Sequence, residues 1–297
     1  MKIFDCFMYF DEDLILDLRL NYLNKYVDHF VIVESKYAHN GKKREPKFDI
    51  KRFEKYKDKI IYLLIDYQEK DSYPIHNSDS PDEINGKKIM NALKRENFQR
   101  NFLLKGLEKA NDEDWIVVSD LDEIPDLENN NLKECQSKIV FFKQIMIYYK
   151  LNLYLEKFPW IGSKACKKKE LKSPQWLRNV KDRIYPWWRF DILFSDSKYS
   201  NIKIFDDGGW HFSYVKSPKQ IEEKLSSYLH HVEYELNPLG EKKISELIKE
   251  RKTVYNLKVD SRKNKFDNSL KLKKLDINLL PRYVKDNIKK FEDWIEK

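Results

Sequence analysis

The sequence predicts an α/β fold in which a mostly parallel sheet is flanked by helices and is followed by an α+β C-terminal half. Two observations predict it: strand-like and helix-like segments alternate through residues 1–126, and regular alternation ends after that point. The 297 residues are 41% hydrophobic and 14% aromatic, which is enough to bury one sizeable core. We therefore expect a single domain over residues 1–297.

The first half of the chain supplies the alternation. A strand is expected at 2–10, and the helix after it places Leu16, Leu20, Leu23 and Val27 at helical spacing. The following segments are a strand at 29–35, a helix at 50–56, a strand at 59–66, a helix at 88–110 and a strand at 114–120. This order is typical of parallel strands that are covered by helices on both faces.

The second half is less regular and is expected to form the far wall of a cleft. Its predicted elements are a long strand at 138–154, helices at 218–231 and 241–255, and a C-terminal amphipathic helix with Val284, Ile288, Phe291 and Ile295 on one side. A Trp- and Pro-rich region and the segment DDGGWHFSY at 206–214 lie between them. No internal repeat or low-complexity linker separates the two halves.

Charge and cysteine content narrow the class of protein. The 57 Lys and Arg against 49 Asp and Glu give a formal net charge of +8, which suits an anionic partner such as a nucleotide or a membrane surface. The basic runs are short, so we expect no nucleic-acid partner. Three cysteines without paired spacing, no signal peptide and no long apolar run predict a cytoplasmic protein without a transmembrane segment, for which peripheral membrane contact remains open.

The most informative stretch is DWIVVSDLDEIPD at 114–126, where an apolar strand ends in Asp120, Asp122 and Glu123. Carboxylates this close disfavour one another's charged state, and a divalent metal would relieve the repulsion. Ligands of parallel sheets bind beyond the carboxyl ends of the strands, and Glu34 ends a neighbouring strand on the same rim. We therefore expect a ligand site on this rim.

Three classes of protein carry Asp-x-Asp after an apolar strand. Haloacid-dehalogenase phosphatases carry it on the first strand with a later GDxxxD, which this chain lacks. Nucleotide-sugar transferases of the GT-A type use it to hold a metal ion across the donor diphosphate. The third class is an acidic strand end that helix N-termini or lysines neutralise. The motif alone leaves the last two open.

The helix expected at 88–110 carries polar residues on its apolar stripe. Leu93, Asn97, Arg100 and Leu104 share one face, so Asn97 and Arg100 need polar partners if that face is buried. Arg100 could form a structural ion pair or hold a phosphate. The polar stretch at 67–87 is either a mobile lid or a tolerated surface insertion.

Five blocks of the chain, in order, resemble glycosyltransferase family 17, whose animal members add the bisecting N-acetylglucosamine to N-glycans. They are the N-terminal 3–35, KRENFQRNFLLKGL, VVSDLDEIP, WIGSKACKKKELKSPQWLRN and GGWHFSYVKSPKQIEEKLSS. The resemblance implies a GT-A-like, Rossmann-like fold, a UDP-sugar donor, UDP-GlcNAc above all, and a Mn²⁺ or Mg²⁺ ion. Residues 1–126 would then bind the nucleotide sugar, and residues 127–297 would lie on the acceptor side.

The resemblance also implies roles for individual residues. Asp120 and Asp122 would hold the metal and diphosphate, and Glu123 would orient their loop. By analogy with GT-A enzymes, Glu34 would meet the nucleoside, and Asn97 and Arg100 would lie at the donor.

The Gly-Trp-His segment leaves several readings open. His211 could be a third metal ligand, a catalytic base or a core residue, and Glu233 is a second candidate for the base. Trp210 is either a packing residue or a platform for a sugar ring. Gly208 and Gly209 would let the backbone approach a ligand closely.

The chain departs from the animal members because it starts directly at the first strand, without their membrane anchor. We therefore expect a bacterial or viral glycan or glycolipid as the acceptor. The alternative reading is a non-catalytic, basic carbohydrate- or nucleic-acid-binding protein on the same fold.

Overall fold

The structure, a computed structural model, describes residues 1–68, 70, 72–192, 194–227, 234, 238–255 and 270–297. Its strands are β1 Ile3–Met8, β2 His29–Ser35, β3 Ile60–Ile65, β4 Trp115–Val118, β5 Glu123–Pro125, β6 Ile139–Tyr148, β7 Leu153–Tyr154, β8 Trp160–Lys167, β9 Ile202–Phe205, β10 Gly209–Ser213 and β11 Lys273–Lys274. Its α-helices are α1 Asp13–Leu23, α2 Pro81–Phe102, α3 Pro174–Asn179, α4 Pro218–Ser227, α5 Gly240–Lys249 and α6 Arg282–Asp286. Short 3₁₀ helices include Ile50–Tyr56, Leu103–Leu107 and Ile288–Trp294.

A large mixed sheet forms the centre of the protein. Strands β3, β2, β1 and β4 lie side by side and run parallel, as the alternation in the first half predicts. The second half joins this sheet through β8, which runs antiparallel to both β4 and β6. The long strand β6 then pairs in parallel with β9 and β10, and β10 pairs antiparallel with β5.

Apolar side chains cover both faces of the parallel strands. Leu16, Leu20 and Leu23 of α1 pack on one face with Val27, so the predicted spacing of this helix is confirmed. The other face packs against α3 and the 3₁₀ helix that follows α2. Asp5 is the exception in β1, because it points toward α1 and is fully buried there.

Helix α2 begins seven residues earlier than the pattern predicts, at Pro81 rather than near Lys88. Ser80 and Glu83 cap it reciprocally, with the Glu83 carboxylate accepting the Ser80 N–H at 2.8 Å. The last third of the suspected lid, residues 81–87, is therefore helix. This start was readable, since Ser-Pro-x-Glu is a capping box with proline at the first helical position.

The buried face of α2 also differs from the predicted stripe. Ala92, Gln99 and Arg100 are buried, whereas Leu104 is 36% exposed. The helix gives way to a 3₁₀ turn at Leu103, which rotates the following side chains.

Three further boundaries are corrected. The strand expected at 138–154 ends at Tyr148, because Tyr149 takes a left-handed conformation with a φ of 61° and the chain turns back to form β7, which pairs antiparallel with β6. The helix expected at 241–255 ends at Lys249, and Arg251 has a φ of 53°. The C-terminal helix breaks at Asn287 into α6 and a 3₁₀ helix, which leaves Ile288 36% exposed. The end of the helix expected at 218–231 lies outside the described residues.

Candidate functional site

A cavity of about 460 Å³ opens at the carboxyl ends of β1, β2 and β4. This is where parallel sheets hold ligands. Its lining residues come from the segments after these strands and from α2, α4, β8 and β10, and they include Phe10, Glu12, Tyr37, His39, Gln99, Arg100, Asp120, Asp122, Trp160, His211 and Lys224. The acidic motif therefore lies in the wall of a ligand-sized cavity.

The loop that carries the acidic motif is held from below by Arg19, which the sequence analysis missed. Arg19 is fully buried on α1, where it pairs with Asp5 at 2.6 Å. Its Nη1 donates to the carbonyl oxygens of Asp120, Leu121 and Glu123, each at 2.9 Å. A single guanidinium therefore satisfies three carbonyl groups of the loop.

Glu123 is fully buried and anchors the same loop from its other side. Its carboxylate accepts the backbone N–H of Asp120 at 2.8 Å and the indole N–H of Trp160 at 2.7 Å. Arg178 of α3 pairs with it at 2.6 Å. Gly162 is required here, because an added Cβ would lie 2.6 Å from the Glu123 carboxyl carbon.

Asp120 lies between two arginines. Its two oxygens are 3.1 Å from Arg100 Nη2 and 3.2 Å from Arg178 Nη2. Burial disfavours the charged carboxylate, but Arg178 and Arg100 outweigh that effect and lower the pKa of Asp120. Asp120 is therefore ionised and firmly oriented by the protein itself.

Asp122 points into the cavity beside His211. The Nε2 atom of His211 is 3.6 Å from Oδ1 of Asp122, and the pairing of β5 with β10 sets this proximity. The backbone N–H of Phe212 donates to the Asp122 carbonyl at 2.8 Å. Within the described residues, the buried Nδ1 of His211 has no hydrogen-bond partner.

Lysines compensate the remaining acids of the cavity. Lys224 of α4 lies 3.3 Å from Asp122 and 3.5 Å from Glu12, and Lys216 lies 3.5 Å from Glu12. Burial opposes the charge of Glu12, but Lys216 and Lys224 prevail and lower its pKa to about 2. Burial likewise opposes the charge of Lys224, but Asp122 and Glu12 raise its pKa.

These contacts correct one step of the sequence analysis. Asp120, Asp122 and Glu123 do not lie uncompensated at the strand end, because Arg100, Arg178 and Lys224 neutralise them. Their mutual repulsion therefore does not by itself require a metal ion. Metal binding remains a prediction, and it has to be judged from the donor atoms that face the cavity.

The three predicted metal ligands do not converge. Across the described ranges, no three His, Cys, Asp or Glu side chains come together as a metal site. Both oxygens of Asp120 contact arginines, whereas Oδ1 of Asp122 lies beside Nε2 of His211 and only its other oxygen contacts a cation, Lys224. Such a pair fits the protein's share of a Mg²⁺ or Mn²⁺ site, because these ions take one or two side chains and fill their coordination with water and phosphate.

Other predicted site residues lie away from the cavity. Glu34 is fully buried, and its carboxylate accepts the N–H groups of Lys47 and Phe48 at 2.7 and 3.1 Å. A direct contact of Glu34 with a nucleoside stays a prediction, but here its oxygens hold the segment after β2. Asn97 does not line the cavity, and its Oδ1 atom is buried without a partner in the described structure. Glu233 lies outside the described residues.

The glycines of the Gly-Trp-His segment allow neighbouring strands to pack closely. A Cβ on Gly208 would lie 2.5 Å from the backbone nitrogen of Lys143, and one on Gly209 would lie 2.2 Å from the carbonyl oxygen of Ile124. Gly209 also has a φ of 119°. Close strand packing therefore excludes any side chain at these two positions, and the close approach of a ligand to their backbone stays a prediction.

Trp210 is a packing residue with respect to the Asp122 cavity. Its indole N–H donates to the Leu279 carbonyl at 2.7 Å, and its ring meets Tyr22 edge-on. It lines a different cavity of about 420 Å³ on the side of α6. In the site of Asp122, the ring beside His211 is Trp160, with centroids 5.1 Å apart.

Comparison with known proteins identifies the family of this chain. The model of glycosyltransferase family 17 matches residues 1–294. No curated protein matches the sequence significantly. In the part of the chain that the structure describes, no helix is long and apolar enough to cross a membrane.

Proposed function

Because the chain belongs to glycosyltransferase family 17, we propose that it is a metal-dependent, inverting transferase with a GT-A-like fold. The donor is a UDP-sugar, with UDP-GlcNAc as the first candidate, and the acceptor is a glycan or a glycolipid. The observation that carries this proposal is the Asp122–His211 pair, which faces a cavity at the carboxyl ends of parallel strands.

Arg100 is the residue we assign to the donor diphosphate. It lines the cavity, and its Nε–H has no partner in the described structure, whereas Arg178 does not line the cavity. Asp120 and Glu96 hold the Arg100 guanidinium at 3.1 and 2.7 Å, so its position is set before a ligand arrives. Its two Nη atoms donate to Gln175, Glu96 and Asp120, so the Nε–H is the charge-assisted donor that we assign to a phosphate oxygen.

Asp122 and His211 are the residues we assign to the metal ion. When bound, the ion would neutralise charge on the departing diphosphate. The chain's own part is to present one carboxylate and one imidazole side by side. Lys224 contacts the same carboxylate, so it compensates Asp122 when no divalent ion is there.

Inversion requires a single displacement at the anomeric carbon. The bond from this carbon to the diphosphate oxygen breaks, its bond to the acceptor oxygen forms, and a base takes the acceptor's hydroxyl proton. Glu12 is a poor base because Lys216 and Lys224 hold its pKa at about 2. With His211 engaged at the metal, we assign the base to Glu233, on the sequence evidence alone.

The test is UDP release from a panel of UDP-sugars with simple glycan acceptors, with Mn²⁺ and with excess chelator. We expect metal-stimulated turnover with UDP-GlcNAc and transfer of the sugar with inverted configuration. UDP binding that is indifferent to metal, together with no turnover on any donor, would instead support the non-catalytic binding protein. Retention of configuration would overturn the single displacement.

A further inference from the structure

An exposed aromatic segment follows α3, and it takes no part in the cavity described above. We define the aromatic loop as residues 181–192 and 194. Its Trp187, Trp188, Phe190 and Phe194 side chains are 81%, 65%, 80% and 90% exposed. Large apolar side chains this exposed are unusual on a soluble surface unless a partner covers them, and here they occur within eight residues.

The base of the loop is well anchored. Tyr185 is buried, and its ring is surrounded by the cationic groups of Arg183, Arg189 and Lys198 at 5.4 to 5.8 Å from the centroid. The backbone N–H of Lys181 donates to the Ser197 carbonyl at 2.8 Å. The loop is thus pinned by one inward ring, while its other rings point away from the body of the protein.

The charges around the loop leave a positive balance. Its acids are paired: Asp182 with Lys164 at 2.6 Å, and Asp191 with Arg189 and Lys198 at 2.8 and 2.7 Å. The neighbouring Asp196 pairs with Lys172. Lys181 and Arg183 are exposed, and no acidic partner contacts either of them within the described ranges. The uncompensated charge beside the rings is therefore positive.

We propose that the aromatic loop docks on the surface of a lipid bilayer that contains anionic lipids. Trp and Phe side chains enter the interface between headgroups and acyl chains, where tryptophan is enriched in membrane proteins. Lys181 and Arg183 meet the anionic headgroups, and each basic side chain near such a surface contributes to binding. Rings exposed on most sides suit insertion into lipid, whereas a protein partner would need a pocket for each ring.

The position of the loop connects this surface to the cavity. It starts directly after α3, whose Arg178 contacts Asp120 and Glu123 and whose Gln175 contacts Arg100. Docking would therefore hold the cavity wall close to the membrane, where a lipid-linked acceptor would be found. That last link depends on the proposed function, whereas docking itself does not.

The test is co-sedimentation of the full chain with phosphatidylcholine vesicles that contain or lack phosphatidylglycerol. We expect the chain to bind the anionic vesicles, and substitution of all four exposed rings (Trp187→Ala, Trp188→Ala, Phe190→Ala, Phe194→Ala) to abolish binding with the melting temperature unchanged. Lys181→Gln with Arg183→Gln should weaken partitioning roughly thirtyfold. The matched control replaces exposed apolar residues elsewhere, Ile50→Ala, Ile75→Ala and Met90→Ala, and should bind like the parent.

Two results would overturn the proposal. The first is equal sedimentation of the parent and the four-ring variant, including no binding by either. The second is a parent that self-associates in size-exclusion chromatography and becomes monomeric on loss of the rings without vesicle binding, which would assign the loop to a second copy of the chain. Neither measurement uses a donor sugar, so both test membrane docking even if the transferase proposal fails.

Discussion

Arg178 and Glu123 form a buried ion pair beneath the loop of the acidic motif, with Nη1 of the arginine 2.6 Å from the carboxylate. Glu123 is fully buried, and Arg178 also donates to the Gly162 carbonyl. The pair joins α3 to the start of β5. The arrangement separates two kinds of arginine around Asp120: Arg178, which supports the loop, and Arg100, which faces the cavity.

Replacing Arg178 with Met should destabilise the protein strongly. It leaves the buried Glu123 carboxylate without its counter-ion, and removing one partner of a buried pair costs about 3–5 kcal/mol. Thermal or urea unfolding of the variant measures this loss. As a control, Lys167→Met removes an exposed pair with Glu113 and should change stability by less than about 1 kcal/mol. Equal losses in the two variants would show that the Arg178 pair is not a support of the loop.

Replacing Arg100 with Met should act mainly on the nucleotide. Loss of one charge-assisted contact with a phosphate removes about 1.5–3 kcal/mol, which corresponds to a roughly ten- to hundredfold weaker affinity for UDP. Calorimetric titration of UDP in the presence of Mn²⁺ measures it. Lys94→Met, on the exposed side of the same helix, is the control and should bind UDP like the parent. Arg100 also contacts Glu96 and Asp120, so some loss of stability is expected. Unchanged UDP affinity with a lowered melting temperature would make Arg100 purely structural.

Glu12 should contribute to the fall in the free energy of unfolding at acidic pH. Its pKa is lowered from an ordinary 4.5 to about 2 by Lys216 and Lys224, which outweigh its burial. A lowered pKa contributes stability that is complete above the ordinary value and is lost as the pH falls toward 2. The contribution reaches up to about 3 kcal/mol at neutral pH.

Glu12→Gln should therefore flatten the fall in unfolding free energy between pH 5 and about pH 2. The control is Glu113→Gln, whose pKa is also lowered to about 2, by its hydrogen bonds to Lys167 and Lys169, but whose carboxylate is solvent-exposed. That exposed pair should contribute little. Urea unfolding at a series of pH values compares the two variants with the parent. If the free energy of unfolding fell equally with pH in the Glu12 variant and in the parent, the contribution of Glu12 to stability would be contradicted.

Much of the fold could be predicted from periodicity. Leu16, Leu20 and Leu23 mark the buried face of α1, and the alternation of strands and helices predicts the parallel strands. What periodicity cannot show is how the second half pairs with them. The long strand β6 pairs with β8, β9 and β10, which all come later in the chain, and such contacts depend on tertiary packing rather than on local pattern.

The candidate site was predictable only in part, because it also depends on tertiary packing. Asp122 and His211 could be singled out by residue type, but their proximity depends on the pairing of β5 with β10 across about ninety residues. Arg19 left a signal that was not used: it lies three residues after Leu16, a charged residue on an apolar stripe. Asp5, an acidic residue within an apolar strand, was a second signal, because it is the partner of Arg19. Arg178 left no comparable local signal.

The last prediction concerns Asp122 and the metal ion. Asp122→Asn keeps the size of the side chain but removes the charge that faces His211 and Lys224. Since Lys224 then retains only Glu12 and a neutral amide, the metal-free variant should be less stable than the parent, by about 1–3 kcal/mol. If the three acids had no cationic partners, the same substitution would instead be expected to raise the stability, because removing one of several like charges relieves repulsion.

Activity should fall by orders of magnitude in the same variant, since the charge that we assign to the metal is lost. Mn²⁺ with UDP should raise the melting temperature of the parent by mass action and should have little effect on the variant. Thermal shift and UDP release measure both, and Asp112→Asn, an exposed acid outside the cavity, is the control. If the Asp122 variant turned over like the parent, or if Mn²⁺ stabilised both equally, Asp122 would not be a metal ligand. Its contact with Lys224 would then be structural, and the cavity would need another explanation for a carboxylate placed beside His211.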